Sequence, residues 1–230
     1  MTAHPHPVDL TDQVDQRWTD AGPMNVSMAA EDMRRLQEAQ QVTAADPAPL
    51  GLFGFATGTI AIGYVLSGFS AHSAQIGTAP ALLVFAGLAQ LLAGMWAYRK
   101  GNTFAATAFG AYGANNIVVA TFLLLTSAGT ITAGSATDVT LSIELFSFAY
   151  ISLVLAVAAT RLNAVFVTVL AALIPGFALS GLGLIGEPAV IGHIGGYCLI
   201  ASAVFAFYAA SALVLNSAFG RNLLPLFGKA

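Results

Sequence analysis

Leu50 to Phe69 is twenty residues without one ionisable acid or base. A helix of that length rises about 30 Å, the thickness of the hydrocarbon core of a bilayer. Five further runs of the same character follow, roughly Ala79–Tyr98, Thr103–Thr126, Val139–Thr160, Asn163–Ile185 and Ala189–Asn216, joined by short connections. Backbone polar groups find no water inside lipid, so spans this long are helices; barrel strands would be about ten residues and alternating. The expected fold is an all-α membrane protein with six transmembrane helices. Composition agrees: the chain is 57% hydrophobic and 8% charged, against roughly 25% charged in soluble domains.

Charge is segregated along the chain. Of eleven acids, only Asp138, Glu144 and Glu187 lie beyond Asp46. The net charge of −3 thus belongs to the N-terminal segment and gives no argument for nucleic acid as a partner. Residues 1–45 read as an acidic tail, largely disordered. Within it 25–41 could form a short helix with Met33 and Leu36 on one face, although so few apolar anchors bury little area. Residues 46–225 read as the membrane domain and 226–230 as a short C-terminal tail. With neither a basic start nor an apolar core at the N-terminus, no signal peptide is expected.

The basic residues give an orientation. Arg17, Arg34 and Arg35 precede the first span, Arg99 and Lys100 follow the second, Arg161 follows the fourth, and Arg221 and Lys229 follow the sixth. All fall on one side, so both termini are expected in the cytoplasm, with the chain in an inner or plasma membrane.

Little in the sequence suggests chemistry on a substrate. Cys198 is the single cysteine, which leaves no disulfide or thiolate metal site within one chain. There is no phosphate-binding loop, no zinc spacing and no nucleophile with a base, so no catalytic residue, metal or cofactor is expected. Glu144 is the one acid inside a span, about one turn into the fourth helix. It suits either a vestibule role or simple placement near the positive helix end. His193, near the same side, could respond to pH or stay neutral and hydrogen-bonded. Gln90 and Asn115 are amides that either line a polar path or bond between helices.

Asp46-Pro47-Ala48-Pro49-Leu50-Gly51-Leu52 resembles the Asn-Pro-Ala-Pro-Leu-Gly-Leu signature of the acetate uptake transporter family, which includes the succinate–acetate permeases. The likeness continues through Ala89-Gln90, the run Tyr98-Arg99-Lys100-Gly101-Asn102-Thr103-Phe104, Thr107-Ala108-Phe109 and Tyr112-Gly113. It ends with Leu215-Asn216, Phe219-Gly220-Arg221 and Leu224-Pro225. It implies six helices around a pore in each subunit, assembly as a homo-hexamer, and transport of acetate and related short carboxylates, in some members succinate, either through a channel or coupled to a proton. It also implies a hydrophobic constriction made by Phe55, Tyr112 and Leu173. The signature residues Asp46, Pro47, Pro49, Leu50, Gly51 and Leu52 stand at the pore entrance, and Ala206 borders the path.

The sequence departs from the family pattern at Asp46, which replaces asparagine, at Asn115 and Asn116, where bulky apolar residues are usual, and at Ala212, where some relatives carry glutamate. The competing expectation is a channel for a small neutral solute such as urea or ammonia, since six-helix hexameric rings also serve that task.

Overall fold

The computed structural model describes residues 34, 45–186 and 188–228. The disorder and the short helix expected in the tail fall almost wholly outside the described residues, as does Glu187. Six helices are long and apolar enough to cross a membrane: α1 (Ala48–Leu66), α2 (Ala74–Arg99), α3 (Thr103–Ser127), α4 (Ser135–Ala159), α5 (Ala164–Leu184) and α6 (Ala189–Phe219). Apart from an isolated bridge between Asn163 and Gly228, the described residues form no β-structure.

The helix ends have local causes. Pro47 and Pro49 fit the start of α1, where backbone donors lack helical partners anyway. Asp46 Oδ1 accepts the Ala48 N–H at 3.1 Å. α1 stops at Leu66, short of the expected Phe69, because Gly68 turns left-handed at φ +80°. Asn102 caps α3 by accepting the Ala105 N–H at 3.0 Å, and Asn163 caps α5 by accepting the Phe166 N–H at 2.9 Å. α4 starts at Ser135 rather than the expected Val139, since Thr137 Oγ1 takes the Gly134 N–H at 2.8 Å and begins the turn early. The first part of α2 is irregular: tighter turns run over His72–Thr78, and Leu82–Ala89 is π-helical before regular α-helix resumes at Gln90.

Packing order places the pore. α1 packs against α6, α2 and α3; α5 packs against α4 and α6; α3 and α4 barely meet. Passing from α1 to α3, α4, α5, α6 and back closes a ring, with α2 supporting α1 and α3 from outside. Close approach of α1 and α6 depends on Gly196: a Cβ there would meet the α1 end at 2.7 Å from Ser67 Cα.

Beyond α6 the chain turns back at Gly220 (φ +62°). Asn216 Oδ1 accepts the Leu223 and Leu224 N–H groups at 2.7 and 3.0 Å, and its Nδ2 donates to the Leu224 carbonyl at 2.9 Å. The Tyr208 hydroxyl donates to the Pro225 carbonyl at 2.8 Å, and the Ala164 N–H to the Phe227 carbonyl at 3.2 Å. Residues 226–228 of the expected tail are therefore docked on the start of α5.

Candidate functional site

Two cavities occupy the ring. One, of about 320 Å³, lies at the end holding Asp46 and the starts of α3 and α5. The other, of about 380 Å³, lies at the opposite end, under the connections after α1 and α3; it is the distal cavity. Depth along each helix follows residue number. On α1, Leu52 and Phe55 line the first cavity and Ile62 and Leu66 the distal one; on α5, Val169 and Leu170 line the first, and Phe177 and Leu184 the distal one. The cavities are thus stacked end to end along the bundle.

Between them is a barrier of rings. The Phe55 and Tyr112 rings are tilted against each other with centroids 5.3 Å apart. Tyr112 also packs on Phe148 at 6.0 Å and on Phe177 at 6.4 Å. Phe55, Tyr112 and Leu173 are 4%, 5% and 0% exposed and belong to one apolar cluster. Leu173 lines neither cavity, yet it lies between Leu170, which lines one, and Phe177, which lines the other. A void of about 20 Å³ remains inside the barrier, bounded by Phe55, Thr59, Tyr112, Asn115, Phe177 and others. That volume holds about one water.

The remaining predicted residues divide by environment. Of the signature, Asp46 and Leu52 line the first cavity; Pro47 and Pro49 set the helix start, and Leu50 is exposed. Gly51 has no such surface, but a Cβ there would sit 2.5 Å from the Phe109 ring, so the glycine lets Phe109 close on α1. Asn115 borders both the distal cavity and the void, and Glu144 lines the distal cavity. Gln90 and Ala206 are fully buried and line none of the three spaces. The Gln90 Oε1 accepts from Asn116 Nδ2 at 3.2 Å, and that Nδ2 also donates to the Ala86 carbonyl at 3.1 Å. This amide pair joins α2 to α3. His193 is exposed, set beside Gly68, and outside all three spaces.

Residues missed by the sequence reading are Phe148, Phe177 and Ser152. Phe177 follows Leu173 by one helical turn, the one available signal that it shares that face. Ser152, fully buried mid-α4, pairs with the Tyr112 hydroxyl at 2.8 Å. Among the described residues no group of histidine, cysteine, aspartate and glutamate side chains could hold a metal ion.

Six spanning helices with two stacked cavities and a ring barrier define a multi-pass membrane protein of the channel or transporter class. The chain belongs to the GPR1/FUN34/yaaH family, whose model matches residues 29–226. It is 34% identical over 183 residues to the succinate-acetate/proton symporter SatP of Escherichia coli, covering 79% of this chain and 95% of that one. The solved structure of the bacterial acetate channel SatP superposes with a TM-score of 0.73 at 32% identity, covering 80% of this chain and 99% of that one. A shorter match, 45% over 74 residues, joins 30% of this chain to 24% of the ammonia transport outward protein 2 of Saccharomyces cerevisiae. SatP and the ammonia transport outward protein 2 are both named for transport, not for catalysis.

Proposed function

We propose that the protein carries acetate and related short-chain carboxylates, succinate among them, across a membrane through one path in each subunit. The observation that carries this reading is the pair of cavities stacked end to end and separated by Phe55, Tyr112, Phe177 and the buried Leu173. A solute with an apolar methyl and one polar end suits rings that exclude hydrated ions while leaving room for a small body. The similarity to SatP over nearly its whole length supports the same solute class. The neutral-solute alternative has support only in a match over 30% of the chain.

Asp46 and Leu52 form the mouth of one end, Asn115 and Glu144 line the other, and the basic residues set both termini in the cytoplasm. The distal cavity then faces outward. Residues 46–225 are the transport domain and 1–45 a cytoplasmic extension. The exposed apolar faces of α2 and α4, carrying Val84, Leu88, Leu92, Ile143, Tyr150 and Val157, go to lipid and to neighbouring subunits of a hexamer. Labelled acetate flux into proteoliposomes at several voltages and pH values is the test; liposomes no leakier to acetate than protein-free controls would refute transport.

A further inference from the structure

Thr59 carries a hydroxyl that the bundle leaves uncommitted. It follows Phe55 by one helical turn on α1, so the two share a face. Elsewhere in the spanning helices Thr121, Thr140 and Thr168 each donate to the carbonyl four residues back. Among the described residues Thr59 Oγ1 has no hydrogen-bond partner, although the residue is only 8% exposed. Unlike the unpaired Gln90 Nε2, Asn115 Oδ1 and Ser180 Oγ, which are sealed, it keeps surface of its own. Of the three spaces in the bundle it lines one, the void of about 20 Å³ inside the barrier.

That void is apolar on most sides: Phe55, Ile62, Phe177 and Leu199 bring it no hydrogen-bonding side chain. Around it the Tyr112 hydroxyl is bonded to Ser152, and Asn116 Nδ2 donates to the Ala86 carbonyl and to Gln90 Oε1. The Thr59 hydroxyl is the group α1 offers to whatever occupies the space. The volume suits one water-sized group: a water while acetate passes, or one substituent of a larger acid. A methyl placed there displaces water and leaves the Thr59 hydroxyl unpaired. A hydroxyl replaces both the water and its bond, since each hydroxyl donates as well as accepts. Sites that bond a solute hydroxyl reject the analogue lacking it, whereas an apolar site separates the two only weakly.

We infer that Thr59 is a specificity-determining contact inside the barrier, and that it favours α-hydroxy monocarboxylates over alkyl acids of the same size. This rests on the transport reading above. Phe55, Tyr112 and Leu173 then set how large a solute passes, and Thr59 sets whether its substituent is polar.

The test uses the full chain in proteoliposomes, with labelled glycolate and labelled propionate, which differ by a hydroxyl for a methyl. Flux into protein-free liposomes is subtracted. Each acid's own ionisation is the same for every variant, so a change in the glycolate-to-propionate ratio reports the contact. Thr59→Val keeps the shape and removes the hydroxyl, and the ratio should fall about tenfold. Thr59→Ser keeps the hydroxyl and should hold the ratio near wild type. Thr57→Val, on the same helix but lining none of the three spaces, should leave it unchanged. A Thr59→Val variant that carries both acids in the wild-type ratio overturns this inference and leaves the transport reading intact. So does a Thr59→Ser variant with the valine ratio, because packing and not the hydroxyl would then set it. A wild type that carries none of acetate, glycolate and propionate overturns both. If a variant fails to assemble, glycolamide and propionamide, which have no carboxyl to ionise, are compared as inhibitors of acetate flux through wild type. Glycolamide should act at a several-fold lower concentration; glycolamide no better than propionamide overturns the inference.

Discussion

The Tyr112 hydroxyl donates a hydrogen bond to Ser152, across the one seam of the ring where the helices barely touch. The two oxygens are 2.8 Å apart, and Ser152 Oγ lies 2.6 Å from the Phe148 carbonyl. A hydroxyl has a single hydrogen, so Ser152 spends its own on Phe148 and accepts from Tyr112. The tyrosine therefore faces the path with lone pairs and ring, not with a free donor.

That bond predicts an asymmetry. Tyr112→Phe removes one bond and leaves Ser152 satisfied, so assembly should weaken by no more than about 1 kcal/mol while discrimination among carboxylates changes. Ser152→Ala strands a buried hydroxyl and should cost about 1–3 kcal/mol. Thermal melts of the detergent-solubilised protein compare the two. Equal melting temperatures for the two variants would mean Tyr112 finds another partner.

Phe55 supplies half of the closest ring pair in the barrier. Phe55→Ala should join the two cavities and raise the flux of lactate and succinate relative to acetate, with a stability loss of about 3 kcal/mol. Competition of each acid against labelled acetate measures it. Unchanged preference among the three would remove Phe55 from the barrier.

Gln90 and Asn116 are predicted to matter for packing more than for the solute, although Asn116 also borders the void in the barrier. Asn116→Leu leaves both ends of the Gln90 amide unpaired, since Gln90 Nε2 already lacks a partner. It should destabilise by about 1–3 kcal/mol, and adding Gln90→Leu should restore most of that. Substrate preference should not move in the double variant; a change in it would place this amide pair on the path.

How far the sequence reached depended on the kind of signal. The six spans follow from the absence of charge over about twenty residues each, and Phe55 and Tyr112 follow from the blocks beside them. Gln90 and Asn115 looked alike as lone amides in apolar helices; which one faces a cavity depends on helix rotation and on α2 lying outside the ring. That is a property of packing between α1, α2 and α3, not of spacing. Ser152 was hidden because a serine mid-span can bond its own helix anywhere, and its partner lies forty positions away. The early stop of α1 hung on one left-handed glycine, Gly68.

The orientation has a direct check. In a Cys198→Ala background, Ser70→Cys should react with an impermeant thiol reagent from outside intact cells, and Lys100→Cys only after the membrane is opened. Both positions flank spans on opposite sides of the bundle and are at least partly exposed. Reversed labelling would turn the distal cavity toward the cytoplasm.

Protons give the sharpest prediction. A relay carried by the protein needs titrating groups from one end of the path to the other. Among the described residues, the carboxylates lining the cavities are Asp46 at one mouth and Asp138 and Glu144 in the distal cavity; the one titratable side chain at the void between them is Tyr112, whose hydroxyl is bonded to Ser152. His193 lies outside all of these spaces. Bringing in a bare anion against an inside-negative potential costs about 2.3 kcal/mol per 100 mV, and a proton travelling with the solute removes that cost. Flux should therefore rise as pH falls, because the undissociated fraction rises. A negative cavity lowers the local concentration of an anion but not of a neutral acid. Replacing Glu144→Gln together with His193→Gln should then leave most of the acetate flux intact in acid and alter its pH profile only modestly. If that double variant binds acetate normally and transports none, a proton step on the protein exists. If instead it raises flux several-fold near neutral pH, the anion is the species that enters.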